Sequence, residues 1–203
     1  MEDRRTARMR ETRQRISDEA TALFMARGFE NVTLDDVAAA AKVSRMTVFN
    51  YFPRKEDLML DRDEDLAMIP LREAIRARAD GQSPADALRT LLNAFRADAH
   101  PFARVDRETV DWWRFIGASP SLQARLRELC DEAAYGLAVE LDGPEPGGAA
   151  RLAAGLIVLT VRTAREESVR AMDQGLSEAD AARVFFEVFD AGFDAVERLS
   201  GRG

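Results

Sequence analysis

Pro53 sets the tightest limit on how this chain can fold. It lacks a backbone N–H and its ring clashes with the preceding turn, so a helix approaching it stops at Phe52 or before. Ser44 is a good N-cap, so that helix begins there. Val43, Val48 and Phe52 form one apolar face of the segment KVSRMTVFNYF, residues 42–52. Arg45, Met46, Thr47, Phe49, Asn50 and Tyr51 are left to face solvent, a partner helix, or something else. Upstream, Ile16, Ala20, Leu23 and Phe24 recur at helical spacing and predict an amphipathic helix over 10–27. Gly28 ends it in the place of a left-handed cap. Thr33 caps a further short helix, with Asp36 in its first turn and Val37, Ala38 and Ala41 on its inner side.

Two short helices, 33–41 and 44–52, joined by a tight turn fit a helix-turn-helix. In that motif the second helix enters the major groove of DNA. Arg45 then reaches guanine or a phosphate, and Thr47 and Tyr51 offer hydroxyls to phosphates. Met46 and Phe49 lie against thymine methyls or sugars. Lys55 offers a cation to the backbone, and the N–H groups near Thr33 form a phosphate site. Asn50 faces either the groove or the first helix. The residues alone also allow a plain three-helix bundle, with Phe49 and Tyr51 packed on its neighbours.

The remainder reads as helix, and the fold class expected is all-α, with about nine helices. A long helix is expected over 54–79, closed by Asp80-Gly81. Ser83-Pro84 and Ser119-Pro120 each place a cap before a proline at the first helical position. DGPEPGG, 142–148, is a loop, and Ser177 with Asp180 opens the last helix. One cysteine, Cys130, excludes an internal disulfide, and one histidine, His100, leaves little for nucleophilic or metal chemistry. There is no glycine-rich phosphate loop. No enzyme, cofactor or metal is expected. No apolar run approaches the roughly 20 residues of a membrane span, and the basic N-terminus has no apolar signal region, so the expected location is the cytoplasm. The net charge of −7 is unevenly spread: residues 1–60 carry +1, with six arginines in the first fifteen positions, and the rest carries −8. Such asymmetry suggests two jobs.

The stretch TLDDVAAAAKVSRMTVFNYFPRKEDL, with RISDEATALFMARGFENVT before it, resembles the DNA-binding head of the TetR family of bacterial transcriptional regulators. Val43-Ser44, Thr47, Phe49, Tyr51-Phe52 and Lys55 carry the resemblance over about a quarter of the chain. Lys42 stands where the family often has glycine and adds a cation near the DNA side. Met46 stands where a small residue is common. The resemblance implies a head over 1–55 and a body over 56–203 for ligand binding and dimerisation. It implies a homodimer on a near-palindromic double-stranded operator, released by an unknown small-molecule effector, most simply as a repressor.

The body's own residues agree with a dimer. The last two helices, 148–173 and 178–199, carry wide apolar stripes through Leu152, Leu156, Leu159, Phe185, Phe189, Gly192, Phe193 and Val196. One side is expected to face the core and the other a second subunit. Phe95, His100, Phe102, Trp112, Trp113 and Phe115 are candidates for the ligand pocket, or plain core. Arg162 and Arg165 could meet an anionic ligand, or pair with Glu166 or Glu167. The alternative reading is a helical adaptor that binds another protein through the last two helices without sequence-specific DNA binding.

Overall fold

The computed structural model describes residues 4–60 and 68–200. Among them are ten α-helices, two short 3-10 turns and no strand. They are α1 (Arg4–Arg27), α2 (Leu34–Ala40), α3 (Arg45–Tyr51), α4 (Lys55–Met59), α5 (Ile69–Arg76), α6 (Pro84–Ala97), α7 (Arg107–Ala118), α8 (Pro120–Asp142), α9 (Gly148–Asp173) and α10 (Glu178–Ser200). The chain forms two compact units. One is Met1–Arg62 with Ser119–Leu126; the other is Asp63–Ala118 with Arg127–Gly203.

In the first unit, α1 buries Ile16, Ala20 and Phe24 as its spacing predicts. It begins earlier than residue 10 and runs to Arg27. Gly28 follows at φ 83 and ψ 147, so its φ is positive as expected, but its ψ lies outside the left-handed well. Helices as short as α2, α3 and α4 do not persist alone in water and are held by packing. Val37, Ala38, Ala41, Val48, Phe52, Leu58, Met59 and Leu60 are all buried. α4 packs on α1 within this unit. Ser119 and Ser121 donate to Glu30, and Arg125 pairs with Asp57 at 2.8 Å, holding 119–126 in this unit.

The expected helix over 54–79 is not continuous. α4 ends at Met59, and α5 starts after Met68, which has φ 53. Residues 61–67 of that span lie outside the described residues. Pro70 is the signal that the helical composition masked: it sits in the first turn of α5, where its missing N–H costs nothing.

The second unit is a bundle around Leu71, Ile75, Leu88, Phe102, Leu137, Ile157, Phe185 and Phe189. α9 and α10 make its largest contact. Phe185, Phe189, Phe193 and Val196, expected partly at a subunit interface, are fully buried within this unit. Gly192 also faces inward: a Cβ there would lie 2.8 Å from Cβ of Thr160 and closer still to its branch atoms. The absent side chain lets α10 approach α9. Each of these five positions is engaged inside one chain.

Candidate nucleic-acid interface

The turn between α2 and α3 is set by local hydrogen bonds. Thr33 and Asp36 form a reciprocal capping box: Asp36 N–H donates to Thr33 Oγ1 at 3.2 Å and Thr33 N–H to the Asp36 carboxylate at 2.8 Å. The Thr33 hydroxyl also donates to that carboxylate, which holds its pKa below the usual value. Lys42 takes the left-handed conformation, φ 55. Its N–H donates to Ala39 O and that of Val43 to Ala38 O, which closes α2 in a Schellman motif. Ser44 then accepts from Thr47 N–H at 3.0 Å and opens α3.

Only Val48 of α3 is fully buried, with Phe52 just beyond it. Met46 is 65% and Phe49 51% exposed. Arg45 and Asn50 are exposed, as are Lys42, Ser44 and Thr33, while Thr47 and Tyr51 are half-buried. Large apolar side chains standing out from a two-turn helix beside a cation and an amide make a surface suited to base edges, methyls and sugars. The arrangement does not pack Phe49 away, as the plain-bundle reading required. Thr47 Oγ1 is within hydrogen-bond distance of Ser44 Oγ.

Lys55 packs against an aromatic ring of the first unit. It is half-buried, with its ammonium 4.3 Å from the centroid of Phe29. Three contributors, Arg13, Arg15 and Asp35, were not foreseen. Arg13 donates to Tyr51 O at 3.1 Å and lies over Phe52 at 4.4 Å. Arg15 donates to Ala41 O at 3.2 Å. Both meet carbonyls at helix C-termini that have no partner within their own helix. Arg45 pairs with Asp35 of α2 at 3.1 Å. These links span ten or more residues of sequence, and no local pattern announces them.

In the second unit the candidate pocket residues divide. Phe95 stacks on His100 at 3.9 Å and meets Phe102 at 5.7 Å. Trp112 and Trp113 touch edge-on at 4.7 Å. Phe115 is half-buried on α7. The arginine that enters this aromatic group is Arg165. Only 6% exposed, it donates to the carbonyls of Phe102 and Arg104 and lies over Phe185 and Trp113 at 4.7 and 5.8 Å. Arg162 instead faces outward and pairs with Glu166 at 3.4 Å. Burial pushes the Cys130 thiol pKa up, away from thiolate chemistry. Among the described residues no group of His, Cys, Asp and Glu is placed to hold a metal, and no helix is long and apolar enough to cross a membrane.

Residues 16–61 match the family described as bacterial regulatory proteins, tetR family. The chain is 33% identical over 93 residues to the HTH-type transcriptional regulator TcmR of Streptomyces glaucescens, covering 46% of this chain and 39% of TcmR. It is 36% identical over 115 residues to MftR of Mycobacterium tuberculosis, named as a transcriptional regulator of mycofactocin biosynthesis, covering 56% of this chain and 55% of MftR. The chain thus spans about half the length of these curated relatives. Its fold is shared with that of SmeT, solved as a complex with triclosan, at a TM-score of 0.56 and 20% identity over 91% of each chain. The head of the chain, residues 16–61, is thus similar to that of the tetR family of bacterial regulatory proteins, and TcmR and MftR, to which it is similar over about half their length, are named as transcriptional regulators.

Proposed function

We propose that this protein is a DNA-binding transcriptional regulator that sits on a near-palindromic operator as a homodimer and leaves it when a small molecule binds the second unit. The supporting observation is α3: a two-turn helix that buries Val48 and presents Arg45, Met46, Phe49 and Asn50 outward. On this reading the protein acts in the cytoplasm, where it meets DNA, and does no catalysis.

The dimer surface is the outer side of the α9–α10 pair. Leu152 and Leu159 are 65% and 46% exposed, Leu156 is half-buried, and Gly155 between them has open space above its Cα. Val184 and Val188 of α10 are partly buried and Leu199 is exposed. A near-palindromic operator would take two α3 helices, one from each copy, one helical turn apart, about 34 Å. The effector reading rests on the family and on SmeT, a protein of the same fold that holds triclosan. Release requires only that the effector bind the DNA-incompetent state more tightly. In this chain the guanidinium of Arg165 among Phe102, Trp113 and Phe185 is the feature around which an effector site would be built.

A gel-shift titration with DNA flanking the protein's own gene, beside a scrambled duplex, tests the proposal. Retardation of the native fragment at lower protein concentration supports it. Equal retardation of both, or of neither, counts against it.

A further inference from the structure

We propose that Asp35 is a specificity-determining residue: it positions Arg45 so that Arg45 reads a base and does not clamp a phosphate. The inference rests on the DNA-binding reading above. Arg45 is the first residue of α3, at the end of a recognition helix that reaches base edges. Asp35 is the second residue of α2. Arg45 Nη1 donates to Asp35 Oδ2 at 3.1 Å, and both side chains are about two-thirds exposed. Met46, which follows Arg45 in the sequence, is 65% exposed.

An exposed ion pair contributes little to folding. At a DNA-facing surface its effect is different. A carboxylate beside phosphates weakens binding to any sequence, because the phosphate charge dominates sequence-independent affinity. A lone arginine on a flexible stem gains affinity from whichever phosphate is nearest. Holding one edge of its planar fork on Asp35 fixes the direction of the remaining donors. A fixed fork is suited to the paired acceptors O6 and N7 of guanine, and the neighbouring negative charge disfavours a phosphate in the same place. Asp35 thus lowers binding to all DNA while raising the contrast between right and wrong bases, which is specificity obtained through a repulsive element.

The test is selection from a randomised duplex library with the full-length protein, Asp35→Asn and Arg45→Ala, followed by affinity measurement on a scrambled duplex. The native protein is expected to enrich a half-site containing a guanine that Arg45→Ala no longer requires. Asp35→Asn should lose discrimination at that same position by about tenfold, keep it elsewhere, and bind the scrambled duplex more tightly. Thermal melts of the three proteins should coincide, since both side chains are exposed. If Asp35→Asn enriches the same half-site with undiminished discrimination at that position, the inference is overturned. If it weakens every position equally, Asp35 is a general contributor to binding and the inference also fails. A native protein that enriches no sequence refutes the DNA-binding reading itself, a result distinct from the other two.

Discussion

Arg13 reaches across the first unit to donate a hydrogen bond to the carbonyl of Tyr51 at 3.1 Å while its guanidinium covers the ring of Phe52 at 4.4 Å. One side chain from α1 thereby closes the C-terminal end of α3. Arg13→Ala should destabilise the first unit by about 1 kcal/mol, the usual scale for a hydrogen bond to a charged donor that is partly solvated. It should also weaken DNA binding, because α3 loses its anchor. Denaturant titration and a gel shift of the same variant check both effects. Unchanged stability would mean that Arg13 does not hold α3.

Lys42 occupies a left-handed position, φ 55, where glycine has no Cβ to clash. Lys42→Gly should raise the stability of the first unit by about 1 kcal/mol. If Lys42 also contacts DNA, the same change lowers affinity, so stability and binding move in opposite directions. Chemical denaturation beside DNA titration separates the two.

Glu140 accepts from Arg72 at 3.1 Å and from Arg76 at 2.5 Å, tying α5 to α8. The hydrogen bond from Arg76, more than that from Arg72, holds its carboxyl below the usual range, against a smaller opposing effect of burial. A depressed folded-state pKa means that its stabilisation is present above the ordinary glutamate pKa and is lost as pH falls through the folded value. Glu140→Gln should therefore melt lower than the native protein at neutral pH, and the gap should close on acidification below about pH 4. A gap independent of pH would show that charge at Glu140 is not the stabilising element.

Leu152 and Leu159 stand out from α9, exposed by 65% and 46% among the described residues. Leu152→Glu combined with Leu159→Glu should convert a dimer to a monomer in sedimentation analysis, with little loss of fold, since both positions are exposed. A native protein that sediments as a monomer would remove the proposed dimer surface.

How much of this was legible in the sequence follows from the range of the interactions. Caps, turns and the head's inner face are local. Thr33, Ser44 and Pro53 mark their own boundaries, and Ile16, Ala20 and Phe24 repeat at the helical period. Pro70 was equally local but sat in a stretch of otherwise strong helix formers, and the break at Met68–Ile69 was read through. The inward role of Phe185, Phe189, Phe193 and Val196 was not legible, because an apolar stripe has the same spacing whether a core or a partner covers it. Nor was Arg165 distinguishable from Arg162: three residues apart on one helix, they differ in which neighbours surround them. Arg13 with Tyr51, and Asp35 with Arg45, meet only after the first unit has folded.

The most direct test of the DNA-binding claim is fluorescence anisotropy with a labelled duplex from the region flanking the gene, at 50 and 200 mM salt, for the native protein and for Phe49→Ala. The native protein should bind this duplex more tightly than a scrambled one, and lose roughly 10³-fold in affinity between the two salt concentrations as about 6–10 phosphate contacts are screened. Phe49→Ala should erase the preference for the native duplex while leaving the melting temperature unchanged. Binding that ignores both sequence and salt, or no binding to either duplex, would contradict the assignment of α3 as a DNA-reading helix.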